Sequence, residues 1–420
     1  MYVSVRGIPR GTGIRSRVPR VVVVLGMVSL ITDVSTEMVT AVLPMYAMLV
    51  LGLTPLAYGM LDGLYQGATV LVRLLGGFFA DRLRRPKLVA GSGYAIGAAA
   101  KLLLLPVGGA GTLSAAVGMD RAGKGLRTAP RDVLIATAGP RDRLGRYFGV
   151  HRALDATGAL LGPVVAFGLL ALAPGDFDMV FVVSCCAAVL GVLLFVHHVP
   201  EHRAETEGET EGEGEGEGEG GVSLRDVAAL LRITGFRRLL CAAAVLSVAT
   251  IGDGFLYLVL LRNESVTTRW FPLLFVCTSL VYLALAVPLG RVSDRYGRNR
   301  VFTAGYGLLL CAYLSAVLTA GAAGAGLCLM FLGAYYAATD GVLPAAAAPL
   351  LPAELTATGI SVVQAAVAGG RALGAVAFGA VWTAAEGATA VWTFAAVLAV
   401  ALLTAVPMIT RARDQRTEAR

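Results

Sequence analysis

The chain has 420 residues, of which 56% are hydrophobic and 15% are charged, and 52 residues are glycine. Because a soluble globular chain carries about 25% charged residues, this composition excludes an ordinary soluble domain and indicates a protein of the lipid bilayer. The formal net charge of +7 does not indicate a nucleic-acid partner, since the arginines lie in short segments between apolar runs and form no basic face.

Long apolar runs follow one another from Val21 to Ile409. Each is close to the ~20 residues that cross a bilayer as a helix. The first run contains Asp33 and Glu37 and lacks a small-residue cleavage site, so we expect a retained membrane helix rather than a signal peptide. The runs predict twelve transmembrane helices, at 21–43, 57–80, 88–107, 112–137, 145–171, 180–199, 239–261, 271–291, 301–320, 326–350, 357–384 and 388–409.

Clusters of arginine predict the orientation of these helices. They lie in the amino-terminal tail, after the second, fourth and eighth predicted helices, and in the carboxyl-terminal tail, which fall on one side if there are twelve spans. Loops rich in Lys and Arg face the cytoplasm. We therefore expect a multi-pass protein of the plasma membrane, the bacterial inner membrane, with both termini cytoplasmic.

The segment between the sixth and seventh predicted helices is acidic, and residues 211–220 alternate Glu and Gly. Such a segment cannot bury a core and is expected to be a disordered tether. It divides the chain into a tail (1–20), a six-helix bundle (21–199), a linker (200–236), a second six-helix bundle (237–409) and a tail (410–420).

Several features of the first half recur in the second half at similar offsets. They are Gly77-x-x-x-Asp81-Arg82 with Gly290-x-x-x-Asp294-Arg295, Asp33 with Asp253, and Gly158 with Gly374. Parallel repeats related by an axis along the membrane normal are a known plan of transporters.

These repeated segments resemble signatures of the major facilitator superfamily. The resemblance covers nearly the whole chain apart from the tails and the linker. Gly158-x-x-x-Gly162-Pro163, in the fifth predicted helix, is similar to a motif of the family's bacterial drug:proton antiporters. The first loop copy has Arg84 where the family usually has glycine, and the second copy keeps Gly297. The matching segments are Gly77-x-x-x-Asp81-Arg82-x-Arg84-Arg85, Gly290-x-x-x-Asp294-Arg295-x-Gly297-Arg298 and, in the fifth predicted helix, Gly158-x-x-x-Gly162-Pro163.

The resemblance implies an all-α membrane fold of twelve helices in two six-helix pseudo-repeat bundles, the major facilitator fold. It places the substrate site between the bundles near the midplane and implies that the bundles rock to expose it to alternate sides. A functional monomer is also implied. The loops after the second and eighth helices would then form a cytoplasmic gate, made of Asp81, Arg82, Arg85, Arg131, Asp294, Arg295 and Arg298.

Ionisable residues inside membrane helices are costly and are functional candidates by default. Asp33 and Glu37 lie four residues apart on one face of the first predicted helix. Two carboxylates in a cavity of low dielectric repel each other, which favours the binding of a proton by one of them. A proton carrier needs such a group, although a polar pair that an arginine holds in a water-filled vestibule has the same pattern.

A stripe of charge on the fourth predicted helix has two interpretations. Asp120, Lys124, Arg127 and Arg131 advance by four, three and four residues along one face. The stripe either forms an electropositive wall that holds an anionic substrate or neutralises Asp33 and Glu37, or its later residues Arg127 and Arg131 bind the Asp81 loop. The candidates for proton coupling or the substrate cavity are Asp33, Glu37, Asp62, Gln66, Arg121, Lys124, Asp253, Asp340 and Arg371.

Other intramembrane candidates have structural alternatives. Asp62 is either in the cavity or solvated near the outer helix end. Asp253 lies between two glycines that allow local unwinding, and Asp340 with Arg371 is either functional or a buried structural pair. His151 and Asp155, one turn apart, are either a proton relay or gate salt bridges near the cytoplasmic end.

The sequence favours a secondary active transporter without metal or other cofactor, driven by the proton gradient. The leading hypothesis is proton-coupled efflux of small hydrophobic, cationic or amphipathic compounds. The alternatives are a symporter or exchanger for an anionic metabolite, and a non-transporting membrane sensor on the same fold. An enzyme is not expected, because neither an H-E-x-x-H motif nor a phosphate-binding G-x-x-x-x-G-K-[ST] loop is present.

Overall fold

The computed structural model describes residues 18–68, 85–106, 108–140, 143–200, 229–352 and 355–417, and the regular structure in these ranges is helical throughout. Asp81, Arg82 and the Glu-Gly repeat lie outside the described residues. In the first half, α1 spans Arg20–Met45 and continues as a π-helical turn, Tyr46–Val50. The described part of α2 covers 55–68, and α3 to α6 span Pro86–Leu103, Ala110–Ala136, Leu144–Leu172 and Phe177–His198.

The second half contains two interrupted helices. α7 consists of Thr234–Val248 and Asp253–Arg262, and α10 of Gly321–Thr339 and Val342–Ala347 with a 3-10 turn, Ala348–Leu350. The continuous helices α8, α9, α11 and α12 span Phe271–Tyr296, Arg298–Leu318, Thr356–Ala384 and Gly387–Thr417.

Nine helical stretches of the described residues are long and apolar enough to cross a membrane: α1 with its π turn, α5, α6 and α7 to α12. The other three predicted ranges also contain helix. α2 is described only as far as residue 68, α3 has 18 residues, and α4 carries the charged stripe. The order of the helices is thus consistent with the predicted spans.

Glycines bring helix backbones into direct contact within each half. A β-carbon built at Gly162 on α5 would lie 2.7 Å from the β-carbon of Glu37 on α1, and one at Gly158 would lie 2.8 Å from the α-carbon of Leu30. Small residues spaced by four let membrane helices approach closely. In the second half, a β-carbon at Gly374 on α11 would lie 3.0 Å from the carbonyl oxygen of Thr250 beside α7. Gly158 and Gly374 thus both lie at close helix contacts, with α1 and beside α7 respectively, which is consistent with the predicted correspondence.

The interruption of α7 lies immediately before Asp253, where unwinding was expected. A buried tyrosine of α9 satisfies the freed backbone. The Ile251 amide donates to the Tyr313 hydroxyl at 2.7 Å, and that hydroxyl donates to the Ala249 carbonyl at 3.2 Å. Non-helical backbone at membrane depth needs such partners. The interruption of α10 at residues 340–341 was not expected from the sequence.

The connection between the eighth and ninth helices is much shorter than the loop that the sequence predicted. α8 continues through Asp294 and Arg295 to Tyr296, and α9 begins at Arg298. Gly297 alone makes the connection, with φ at 102°, a conformation that favours glycine. Arg298 also pairs with Asp294 at 3.3 Å, one turn earlier, which favours the helical end.

Most helix packing lies within each half, with α1 on α5 and α6, α3 on α4 and α6, α9 on α10 and α12, and α7 on α11 and α12. The halves meet where α5 contacts α8 and α2 contacts α11. There the Leu56 amide donates to the Thr383 hydroxyl at 2.9 Å, and the Phe167 and Trp270 rings stack with centroids 5.3 Å apart. These contacts lie toward the end of the molecule at which α1, α5, α7 and α11 finish. We call this end the closed end.

Candidate functional site

A cavity of about 640 Å³ lies between the two halves. The first half contributes residues of α2 and α4, and the second half contributes residues of α9, α10 and α11. The lining extends toward the end opposite the closed end, where α4 and α10 finish and α11 begins. The lining side chains that bear charge or an amide are Gln66, Arg121, Lys124, Asp340, Gln364 and Arg371.

A second cavity of about 240 Å³ lies next to the first, on the side of the closed end. Tyr65, Gln66 and Arg371 line both cavities and so separate them. The smaller cavity is bounded by the interrupted part of α7, and three predicted carboxylates reach it together: Glu37, Asp62 and Asp253. The structure thus brings Asp62 and Gln66 to the same cavity as Glu37, as one of the two interpretations expected.

Lys124 lies between the two carboxylates of α1. Its ammonium nitrogen is 3.4 Å from Asp33 Oδ1 and 3.8 Å from Glu37 Oε1, and Arg127 lies 3.5 Å from the same Asp33 oxygen. The exposed fraction of the side chain is 4% for Asp33 and 33% for Lys124. The α4 stripe therefore neutralises these carboxylates, and Lys124 is the member that also faces the larger cavity.

A tighter cluster is buried behind this one. Asp120 accepts from Lys101 at 2.8 Å and from Arg121 at 2.6 Å, and both cations are almost completely buried. α3 and α4 touch there, because a β-carbon at Gly123 would lie 2.8 Å from the Gly97 amide. Arg121 also stacks over the Tyr65 ring, 4.2 Å from its centroid. Arg121 thus reaches the cavity wall while its charge is compensated.

The end of the stripe binds α5. Ser29 donates to Asp155 Oδ1 at 2.6 Å, and Arg131 lies 3.7 Å from the same oxygen and 3.0 Å from Asp132. His151 is buried nearby, and its Nε2 has no hydrogen-bond partner among the described residues.

The second half has its own charge network. Tyr336 donates to Asp253 at 2.6 Å, and Arg371 lies 3.6 Å from Asp340 and donates to the Tyr335 hydroxyl at 3.2 Å. Asp340 and Arg371 thus form an ion pair, but the Asp340 side chain is 46% exposed, so the pair is not the buried one that was expected. Arg371 Nε has no hydrogen-bond partner in the part of the chain that the structure describes.

The described gate residues lie apart from the cavities. Arg298 donates to the Ala345 carbonyl at 2.7 Å, which binds the start of α9 to the second segment of α10. Arg295 lies over the Tyr296 ring, and Arg85 is exposed immediately before α3. Arg131 contacts Asp132, Asp155 and Ser29, while its proposed partner Asp81 lies outside the described residues. The gate therefore stays a prediction.

Sequence reasoning missed several partners. Arg127 was placed in the stripe but not among the candidates for the site, although its spacing from Lys124 puts both on Asp33. The only sequence signal for Lys101 was its position as a lone cation in an apolar run. No sequence signal marked Tyr335 and Tyr336, because their contacts depend on how α10 approaches α7 and α11.

Helices that cross a membrane around a charged internal cavity define the class of membrane transport proteins. The model of the Major Facilitator Superfamily matches residues 25–375. The chain belongs to the major facilitator superfamily, and it is a multi-pass membrane transporter of that type.

Similar sequences and structures agree with this assignment. An uncharacterized MFS-type transporter of Methanocaldococcus jannaschii is 27% identical over 293 residues, which cover 68% of this chain and 69% of that protein. An uncharacterized protein of Mycobacterium tuberculosis is 36% identical over 154 residues, which cover 36% of this chain and 37% of that protein.

Among solved structures, the nucleoside transporter NupG superposes with a TM-score of 0.80 at 13% identity, covering 93% of this chain and 100% of that chain. A POT family transporter in complex with a thioalcohol-conjugated peptide gives 0.75 at 14% identity, covering 94% of this chain and 97% of that chain. At these identities the likeness establishes the fold alone.

Proposed function

We propose that this protein is a proton-coupled secondary active transporter that works by alternating access between two six-helix halves. In this proposal it lies in the plasma membrane with both termini cytoplasmic and works as a monomer. The observation that carries the proposal is Lys124, which faces the cavity between the halves while it neutralises Asp33 and Glu37. A cavity alone would serve a facilitator, and the carboxylates beside it supply a site for coupling to protons.

The coupling follows from the competition for one ammonium group. With both carboxylates ionised, Lys124 has two partners on α1. A proton on Asp33 removes the nearer of them and leaves Lys124 only the longer contact with Glu37, so that Lys124 can bind a substrate. Loss of the proton restores the ion pair and disfavours the substrate. Binding of proton and substrate at this site is therefore linked with the same coupling free energy in both directions.

The present conformation supports an alternating-access cycle. The halves touch at the closed end, through α2 with α11 and α5 with α8, and the larger cavity extends away from it. With the proposed orientation, the closed end is extracellular and the cavity faces the cytoplasm.

The substrate class has two candidates from the sequence. Efflux of hydrophobic or cationic compounds rests on Gly158, Gly162 and Pro163, and the two glycines are accounted for by the packing of α5 on α1. The anionic alternative has a specific observation in its favour. Among the described residues that line the larger cavity, the cations are Arg121, Lys124 and Arg371 and the carboxylate is Asp340. Because proton and substrate bind together in this scheme, we propose that both move in the same direction, as in a symporter driven by proton entry.

The test uses proteoliposomes that contain a pH-sensitive dye. A gradient of a transported compound is expected to drive a pH change in vesicles with the wild-type protein. Asp33→Asn is expected to abolish the pH change and to keep substrate exchange, because the asparagine cannot carry the proton. Asp178→Asn is the matched control, since Asp178 is an exposed carboxylate at the start of α6. Coupling that survives Asp33→Asn and Glu37→Gln would contradict the proposal, as would retention of a transported dye by cells regardless of a protonophore.

A further inference from the structure

The ion pairs of the described residues differ in length and exposure. The buried pairs of Asp120 have N–O distances of 2.8 and 2.6 Å, the range of strong charge-assisted hydrogen bonds. The pairs of the two cations that line the larger cavity are longer, 3.4 Å for Lys124 with Asp33, 3.8 Å for Lys124 with Glu37 and 3.6 Å for Arg371 with Asp340. The cavity-facing cations are also partly exposed, 33% for Lys124 and 21% for Arg371. Long, partly solvated pairs contribute little, so these two cations are the ones available to a ligand.

These two cations come from different halves. Lys124 is on α4 and Arg371 is on α11, and both line the same cavity. Arg371 has donors to spare, because a guanidinium has five N–H groups and its described polar contacts are with Asp340 and Tyr335. Asp340 is 46% exposed, so it can turn to water when a ligand takes its place.

The other residues that line the cavity indicate the chemistry of the rest of the ligand. An inorganic ion would leave most of a cavity of about 640 Å³ empty, since this volume equals that of roughly twenty water molecules at ~30 Å³ each. Neutral polar groups and aromatic rings cover the walls, which suits a carbon skeleton with a few hydrogen-bonding groups. They are Gln66, Thr128, Phe302, Tyr306, Ser361 and Gln364.

We propose that the substrate is a small organic oxyanion, a carboxylate or a phosphate monoester, that bridges Lys124 and Arg371. The inference rests on the proposed function and names the substrate class for it. A ligand shifts a conformational equilibrium only through different contacts in the two states. A bridge between the halves supplies that difference, because the two cations move relative to each other when the halves rock.

Binding is measured first without transport, as the thermal unfolding of the purified full-length protein at constant ionic strength. The probes are succinate, benzoate, glycerol 3-phosphate, inorganic sulfate and the cation ethidium. A saturable rise of the melting temperature is expected with an organic anion and not with sulfate or ethidium. The succinate and glycerol phosphate arms separate the two oxyanion chemistries.

Lys124→Gln and Arg371→Gln are each expected to raise the apparent dissociation constant roughly 10- to 100-fold, the loss of one charge-assisted contact. Arg300→Gln removes the same charge from an exposed position of α9 and is expected to leave binding unchanged. The melting temperature without ligand shows which variants are folded. The doubly substituted protein is expected to lose little more than either single variant if both cations hold one oxyanion.

Two results overturn the inference. One is stabilisation by no anion of the panel or by ethidium alone, and the other is anion binding that both variants leave unchanged. Proton-coupled transport of ethidium in proteoliposomes would then leave the proposed function standing. Conversely, anion binding that depends on both cations but moves no protons would contradict the proposed coupling and leave the substrate class intact.

Discussion

At the scale of single residues, burial decides which charges are structural. Lys101 and Asp120 are enclosed between α3 and α4, whereas Lys124 is partly open to the cavity. Removing one partner of a buried ion pair leaves an uncompensated charge and costs about 3–5 kcal/mol. Loss of Lys124 is expected to cost far less, because Arg127 remains on the buried Asp33 and water reaches Glu37, whose side chain is 22% exposed.

Lys101→Met is therefore expected to lower the melting temperature of the purified protein much more than Lys124→Met. In the Lys101→Met variant, Arg121 keeps its contact with Asp120. The free energy of unfolding is therefore expected to fall by about 3 kcal/mol, the lower end of the range for a broken buried pair. Differential scanning fluorimetry in detergent measures both variants against the wild type. Equal shifts in the two variants would contradict the distinction between buried and cavity-facing pairs.

Asp155 offers a second prediction at this scale. Its side chain is 39% exposed and accepts a hydrogen bond from Ser29, one turn before the buried Asp33 on α1, so we expect it to carry protons between that carboxyl and solvent. Asp155→Asn is expected to slow proton-coupled transport several-fold and to leave substrate exchange, which moves no net proton, near the wild-type rate. Ser29→Ala is the control, because it removes a hydrogen bond to Asp155 without removing a titratable group. Equal losses of coupled transport and exchange would assign Asp155 a structural role.

Some of these residue contacts could be predicted from the sequence and others could not. The pairing of Asp33 with Lys124 was anticipated because regular spacing on α1 and α4 implies two facing stripes. The tyrosine bonded to Asp253 was not, because it depends on how α10 approaches α7. Most ends of the described helices lie within about five residues of the predicted ones, since apolar runs and arginine clusters mark them, but α12 continues to Thr417, well past its predicted end at 409. The interruption of α10 had no such mark.

At the scale of helices, glycine sets how closely two elements approach. Gly162→Ala places a methyl group 2.7 Å from the Glu37 β-carbon, so α5 must move away from α1. Overpacking of this kind costs typically 1–3 kcal/mol. Gly168 is on the same helix, and a β-carbon there meets nothing within 4 Å. Gly168→Ala should be neutral or stabilising, because alanine favours helix by about 1 kcal/mol over glycine. Melting temperatures that move in the same direction for both variants would contradict this account of the α1–α5 contact.

The connection between α8 and α9 allows a similar comparison. Gly297 has φ at 102° and ψ at 128°, whereas Gly290 lies within α8 in open space. A side chain at Gly297 costs about 1–3 kcal/mol in backbone strain. Gly297→Ala is therefore expected to lower the melting temperature, and Gly290→Ala to leave it unchanged or raise it. A neutral Gly297→Ala would show that the connection adopts another conformation.

At the scale of the whole molecule, the contacts between the halves determine which end is closed. A β-carbon at Gly59 on α2 would lie 2.5 Å from the Ala375 carbonyl oxygen on α11, whereas one at Gly67 meets nothing within 4 Å. Gly59→Val is expected to wedge the closed end open and shift the population toward the opposite conformation. Gly67→Val is the matched control on the same helix.

Spin labels at Leu49 and Leu318, exposed at that end in different halves, report the change in a cysteine-free background. Their distance is expected to increase in Gly59→Val and to remain unchanged in Gly67→Val. An unaltered distance in Gly59→Val would mean that the α2–α11 contact does not hold the end closed.

The ring of Trp270 stacks on Phe167 across the two halves and is 51% exposed. The chain has three tryptophans, so replacing Trp382 and Trp392 by phenylalanine leaves one indole fluorophore at the closed end. Separation of the halves would unstack that indole and transfer it to a different solvent environment. Its emission wavelength would then follow the transport cycle in real time without an attached label.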